Sequence, residues 1–182
     1  MSKPRPPEPA KLFVSAIYAD REMLDRCLEK MTERFGPADF STRELAFDVT
    51  GYYQKEMGDK LERRFFAFQE LVDPGLLADV KLFTNSLEDS CRQGESRTVN
   101  LDPGMLSLHN LVLATGKPVA HRPYLMKGIY ADLTLRFENG TFRSLPWTYP
   151  DYAEKGMIEF LNRIRKSYKN DLREWREKTK TT

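Results

Sequence analysis

Residues 11–18 read Lys11-Leu12-Phe13-Val14-Ser15-Ala16-Ile17-Tyr18, an almost unbroken apolar run. A stretch of this length and character fits a central strand covered on both faces, so it calls for a layer on either side. Just after it, Asp20 is placed to cap a helix in which Leu24, Leu28, Met31 and Phe35 recur at helical spacing. Gly36-Pro37 ends that helix, as a glycine followed by a proline does. Phe40–Phe47 predicts a second strand, Asp48–Asp59 a loop, and Leu61–Leu71, with Phe65, Phe66 and Phe68, a third strand. Asp73-Pro74 opens a second helix whose stripe is Leu76, Val80, Phe83, Leu87 and Cys91. Arg97–Leu101 then reads as a fourth short strand, closed by the turn Asp102-Pro103-Gly104. The order is βαββαβ, the arrangement of a ferredoxin-like core.

An extension follows. Ser107–Thr115 fits a short helix or a strand, since its periodicity matches both. Val119–Met126, Ile129–Phe137 and Thr141–Leu145 predict a β-meander, with Lys127-Gly128 and Asn139-Gly140 as its turns. From Asp151 to about Lys178 the stripe Met157, Leu161, Ile164, Tyr168, Leu172, Trp175 holds helical spacing, which predicts a long terminal helix. The fold class is α+β: a ferredoxin-like βαββαβ core (11–101) with a C-terminal meander and long helix (102–178).

The chain has 182 residues, 40% hydrophobic and 31% charged, which predicts one domain over 11–178 and excludes a disordered chain. Residues 1–10 are proline-rich without an apolar stretch, the character of a disordered arm and not of a signal peptide. No apolar run approaches the roughly 20 residues of a membrane span. Cys27 and Cys91 are the only cysteines, too few for a disulfide framework, so a reducing cytoplasm is the expected compartment. Residues 11–101 carry a net charge of −4 and residues 102–182 one of +5. Either the halves attract each other in one fold or the basic half meets an anion. There is no GxGxxG, GxxxxGK[ST] or GxSxG, and neither His109 nor His121 belongs to a zinc-binding pattern.

Several segments occur together in a recognisable order: Thr50-Gly51-Tyr52-Tyr53, Glu56-Met57-Gly58, Lys81-Leu82-Phe83-Thr84-Asn85, Asn100-Leu101-Asp102-Pro103-Gly104, Lys127-Gly128-Ile129-Tyr130 and Leu145-Pro146-Trp147-Thr148-Tyr149-Pro150-Asp151-Tyr152. In these the chain is similar, from about Lys11 to about Tyr168, to an uncharacterised prokaryotic family catalogued as domain of unknown function 4416. The resemblance implies a stand-alone bacterial or archaeal cytoplasmic protein. It brings no catalytic residues with it.

Four regions carry residues suited to a site. Tyr52 and Tyr53 sit among Asp, Thr, Lys and Glu, the makings of an aromatic-walled polar pocket or of a loop folded on the sheet. Asn100 and Asp102 alternate on one strand face, placed to hold a metal, to hydrogen-bond a ligand or to form a turn. In the meander, Arg122 and Lys127 can grip an anion, His121 is of the type that serves as acid or base, and Tyr130 and Asp132 stand close by. Trp147 and Tyr149, between Pro146 and Pro150, make a rigid wall or a clasp onto the last helix. In a βαββαβ sheet the Tyr52-Tyr53 loop and a turn at Asp102 lie at opposite ends. The expected site therefore joins Asn100 and Asp102 to the meander and to Trp147.

That combination points to a small anionic, phosphorylated ligand, with His121 as acid or base and Asn100 and Asp102 to orient it or to hold Mg²⁺; the pattern names no cofactor. Two alternatives compete. Leu12–Ile17 and Arg64–Phe68 resemble degenerate RNA-recognition strands, although the segment spanning them is net acidic, which makes nucleic acid a poor partner. The terminal helix is a candidate protein-interaction surface, provided its stripe is left uncovered.

Overall fold

The computed structural model describes residues 3–47, 53–58 and 60–180. In chain order the elements are β1 (Ala10–Tyr18), α1 (Arg21–Phe35), β2 (Ala38–Ser41), β3 (Leu45–Ala46), α2 (Gln54–Met57), β4 (Glu62–Val72), α3 (Leu77–Ser90), β5 (Val99–Leu106), β6 (Asn110–Thr115), β7 (Tyr124–Met126), β8 (Ile129–Glu138), β9 (Thr141–Ser144), α4 (Pro150–Ala153) and α5 (Lys155–Lys180). Among the described residues the nine strands form one antiparallel sheet ordered β2-β4-β1-β5-β6-β8-β7, with β3 on β4 and β9 on β8.

Every residue of β1 is buried, as its unbroken apolar run requires. Leu12, Val14 and Ala16 pack under α1 and α3, against Leu24, Met31 and Val80. Phe13 faces the opposite way, into a second cluster with Phe65, Leu106, Leu135 and the stripe Met157, Leu161, Ile164, Tyr168 and Leu172 of α5. The sheet is thus the middle of three layers. Burying the α5 stripe contributes on the order of 10 kcal/mol as an upper bound, at about 1.5–3 kcal/mol per large apolar side chain. This covering closes the aromatic face that base stacking would need and occupies the stripe a protein partner would need; Trp175, 37% exposed, stays outside.

Local chemistry sets the helix limits. Asp20 accepts from the N–H groups of Glu22 and Met23, and Gly36 leaves α1 at φ 73°. Asp73 caps a single 3-10 turn, Pro74–Leu76, ahead of α3. Cys27 of α1 and Cys91 at the end of α3 bring free sulfurs to 3.5 Å. The arm is tied at its inner end, where Tyr168 donates to the carbonyl of Pro9 and Arg176 pairs with Glu8.

Four boundaries differ from the sequence reading. Phe40–Phe47 is two short strands, β2 and β3, separated at 42–44. Ser107–Thr115 resolves as a turn followed by β6. Residues 119–122 form a turn, not a strand: Arg122 N–H bonds to Val119 O, and the chain meets the sheet only from Pro123, whose carbonyl accepts from Ala131 N–H, through 124–126. Pro118 and Pro123 explain this, each lacking an N–H and restricting the residue before it. The fourth difference builds the site: β5 runs straight through Asp102-Pro103-Gly104, which is no turn.

Candidate functional site: a cavity where the sheet parts

Along its inner edge β5 pairs with β1 from Val99 to Leu106, but along its outer edge it pairs with β6 only at Gly104, Met105 and Leu106. Above Gly104 the two strands diverge. The freed backbone groups of Leu101 are taken by side chains of α3: its N–H donates to Glu88 Oε1 at 2.9 Å, and its carbonyl accepts from Lys81 Nζ at 2.7 Å. Backbone groups alternate sides along a strand, so Pro103 points the same way as Leu101. Its missing N–H therefore forfeits no ladder bond, which is how a proline sits inside this strand. Gly104 does the opposite work. A Cβ there would meet Leu113 Cδ2 at 2.6 Å and the Val112 carbonyl at 2.8 Å, so only glycine lets β6 close on β5.

The parting opens a cavity of about 730 Å³, within the range of small-ligand sites. Ile17, Leu113 and Ala114 supply apolar wall, and Tyr53, Tyr149 and Tyr152 supply phenols. Four cationic residues, Arg63, Lys81, Arg97 and Lys117, line it against four carboxylates, Glu88, Asp102, Asp132 and Asp151. The lining is therefore charge-balanced, not basic.

The charges are organised as linked pairs. Arg97 bonds Glu56 through two nitrogens, at 2.8 and 2.7 Å, and also reaches Glu88 and Asn100. Asp102 receives Lys81 at 3.2 Å and Asn100 Nδ2 at 2.8 Å. Burial pushes the Asp102 carboxyl up, but the charge and hydrogen bond of Lys81, with Asn100, outweigh it and hold the group below its ordinary value. Its side chain remains one-third accessible, through the cavity. For buried Glu88 burial wins over Lys81 and Arg97, and its carboxyl is raised. Arg63 donates to Ser15 Oγ at 3.0 Å and pairs with Asp151. The rings of Phe65, Phe47 and Tyr152 surround its guanidinium at 4.4, 5.4 and 5.4 Å. Burial pushes the Tyr152 phenol up to about 12 and also raises that of Tyr53. The hydroxyl of Tyr152, a residue 2% exposed, lies by Ser15 and Arg63 without a well-aligned hydrogen bond among the described residues. Nor does any group of three or more His, Cys, Asp or Glu side chains converge among them as a metal site.

Asn100, Asp102, Asp132, Tyr149 and Tyr53 line this cavity. His121, Arg122 and Trp147 gather behind Asp132 and Tyr149. Arg122 donates to Asp132 and to the Tyr149 hydroxyl, both at 2.8 Å, and the His121 ring stacks on Trp147 at 4.9 Å. His121 Nε2 is 3.9 Å from Asp132 and has no hydrogen-bond partner among the described residues. Lys127 and Tyr130 stand apart, on Asp79 and Tyr124 respectively. Tyr52 lies outside the described residues.

The expected separation of Tyr53 from Asp102 does not occur. Val99 pairs with Tyr18 and Glu62 also pairs with Tyr18, so the start of β5 lies at the same sheet end as the start of β4, beside Tyr53. Reading Asp102-Pro103-Gly104 as a terminal turn had put Asp102 at the wrong end. Sequence reasoning also missed Arg63, Lys81, Glu88, Arg97 and Tyr152. A signal existed for two of them: Lys81 and Glu88 are two helical turns apart, on one polar line beside the apolar stripe of α3.

Fold and cavity together define an α+β protein with an antiparallel sheet opened at one interior seam. The family described as "Domain of unknown function (DUF4416)" matches residues 8–168, and the chain belongs to it. No curated protein and no solved structure matches the chain. No helix among the described residues is long and apolar enough to cross a membrane.

Proposed function

We propose that this protein binds a small molecule bearing one singly charged anionic group in the cavity between β5 and β6. The observation that carries the reading is the parting itself. Three devices, the Lys81 and Glu88 bonds to Leu101 and the proline at 103, hold open a seam that a continuous ladder would close. A balanced lining disfavours the two charges of a phosphate monoester, since it offers no net positive charge to offset them. The phosphorylated ligand expected from the meander narrows accordingly, because Arg122 is already committed to Asp132 and Lys127 to Asp79.

The framework belongs to the same proposal. The order β2-β4-β1-β5, with α1 and α3 on one face, supports a ferredoxin-like unit lengthened by β6–β9. Packing of α5 on Phe13 and Leu135 alike supports a single domain over 11–178. Free thiols, hydrogen-bonded to each other at 3.5 Å without a disulfide, suit a cytoplasmic setting. A thermal-shift screen of carboxylates and phosphates on the full chain tests the function. A true ligand at a hundred times its Kd raises Tm by about 5–10 °C; a screen without a stabilising member overturns the reading.

A further inference from the structure

We propose that the ligand is a zwitterion of amino-acid type, its carboxylate taken by Tyr152 and Arg63 and its ammonium by Asp102. This rests on the cavity being a ligand site. On the face of the sheet turned to α5, Ile17 is flanked by Arg63 and Asn100, and Ser15 by Phe65 and Asp102. Strands lie about 4.8 Å apart and each residue advances about 3.3 Å, so Arg63, opposite Ile17, and Asp102, opposite Ser15, stand about 12 Å apart at the backbone, one on each side of β1. Arg63 leans back over β1 to Ser15, which shortens that gap. One small molecule can therefore touch both.

The two ends differ in chemistry. At the Arg63 end, Nε and Nη1 are used on Ser15 and Asp151. Next to the guanidinium is the Tyr152 hydroxyl, buried, lying by Ser15 and Arg63 but without a well-aligned hydrogen bond to either. A buried donor left unsatisfied is costly, and an anionic oxygen on the ligand would satisfy it beside a fixed positive charge. At the other end, each Asp102 oxygen accepts one hydrogen bond, from Lys81 and Asn100, and retains a lone pair while the side chain stays one-third accessible. That is an acceptor held in place for a cation or donor, and an anion alone would leave it unmet.

Isothermal titration calorimetry on the full chain separates the cases. The probes are α-, β- and γ-amino acids, the matching carboxylic acids without the amine, and the matching amines. At least one amino acid is expected to bind about 10-fold or more tightly than either single-charge analogue. Asp102→Asn should lower that amino acid to the level of its des-amino analogue. Tyr152→Phe should weaken both carboxylate forms about 10-fold while leaving the unfolding midpoint unchanged or raised, which a purely structural role would not produce. Equal affinity with and without the amine overturns the zwitterion and leaves anion binding standing. No heat from any class overturns both.

Discussion

The two halves of β5 share one partner, β1, and differ in the other. Below, Gly104–Leu106 close on β6, and above, Asn100–Pro103 meet a cavity whose missing strand is replaced by Lys81 and Glu88. The lower half is held by ladder bonds and by apolar contact around Leu106, Leu111 and Leu113. The upper half is held by ion pairs. A sheet can thus be parted at an interior seam if a helix beneath it supplies the polar groups that the lost strand would have supplied. The parted region then has fixed charges and free volume together, which is what a recognition site needs and what a closed ladder excludes.

The largest expected effect comes from removing the prop. Lys81→Ala leaves the Leu101 carbonyl and Asp102 without their cation, and should destabilise the fold by about 3–5 kcal/mol, as breaking a buried charge pair does; urea unfolding measures it. Next comes the closed half. Gly104→Ala forces a Cβ against the Val112 carbonyl and should lower stability by about 2 kcal/mol, read as a fall of about 4–8 °C in Tm. An unchanged Tm would show that β6 does not need this close approach.

The pH dependence sharpens the contrast within the upper half. Asp102 is held below its usual 3.8, so the stability it contributes is present above that pH and lost as pH falls through the lowered value. Glu88 is raised above its usual 4.5, so its contribution is present below that pH and lost as pH rises through the raised value. Urea midpoints between pH 3 and 7 should therefore show less acid-side loss in Asp102→Asn than in wild type. Glu88→Gln should remove the loss on the rising side. The smallest effect is Lys127→Ala. That exposed pair with Asp79 should change stability by less than about 0.5 kcal/mol, and ligand affinity not at all.

The sequence made the layers legible because their cause is local and repetitive. The run at 11–18 required burial on both faces, and the α5 stripe required a surface to cover. The capping of α1 by Asp20 and the turns at Lys127-Gly128 and Asn139-Gly140, with Lys127 and Asn139 at φ 52° and 51°, are equally local. The site was legible only in part. Asn100, Asp102, Asp132 and Tyr149 were singled out because their types and positions are conspicuous. Arg63 and Tyr152 were hidden, one inside an aromatic strand and the other after a proline clasp, since nothing local says that they meet across β1. Asp-Pro-Gly misled for a physical reason: its turn chemistry holds only where the strand has no partner to continue with, and β1 continues past it.

Gly116 offers the most direct test of whether the parted seam is a site or a packing defect. It lines the cavity, and a Cβ placed on it would meet nothing within 4 Å, so Gly116→Trp can fill the space without displacing backbone. Thermal melts of wild type and Gly116→Trp are compared across the same amino acids and carboxylates. The expected result is a ligand that raises the wild-type Tm by about 5–10 °C near saturation and leaves the filled variant unmoved. Equal shifts in both proteins, or a filled variant that is simply more stable while no compound moves the wild type, would contradict ligand binding at the β5–β6 seam.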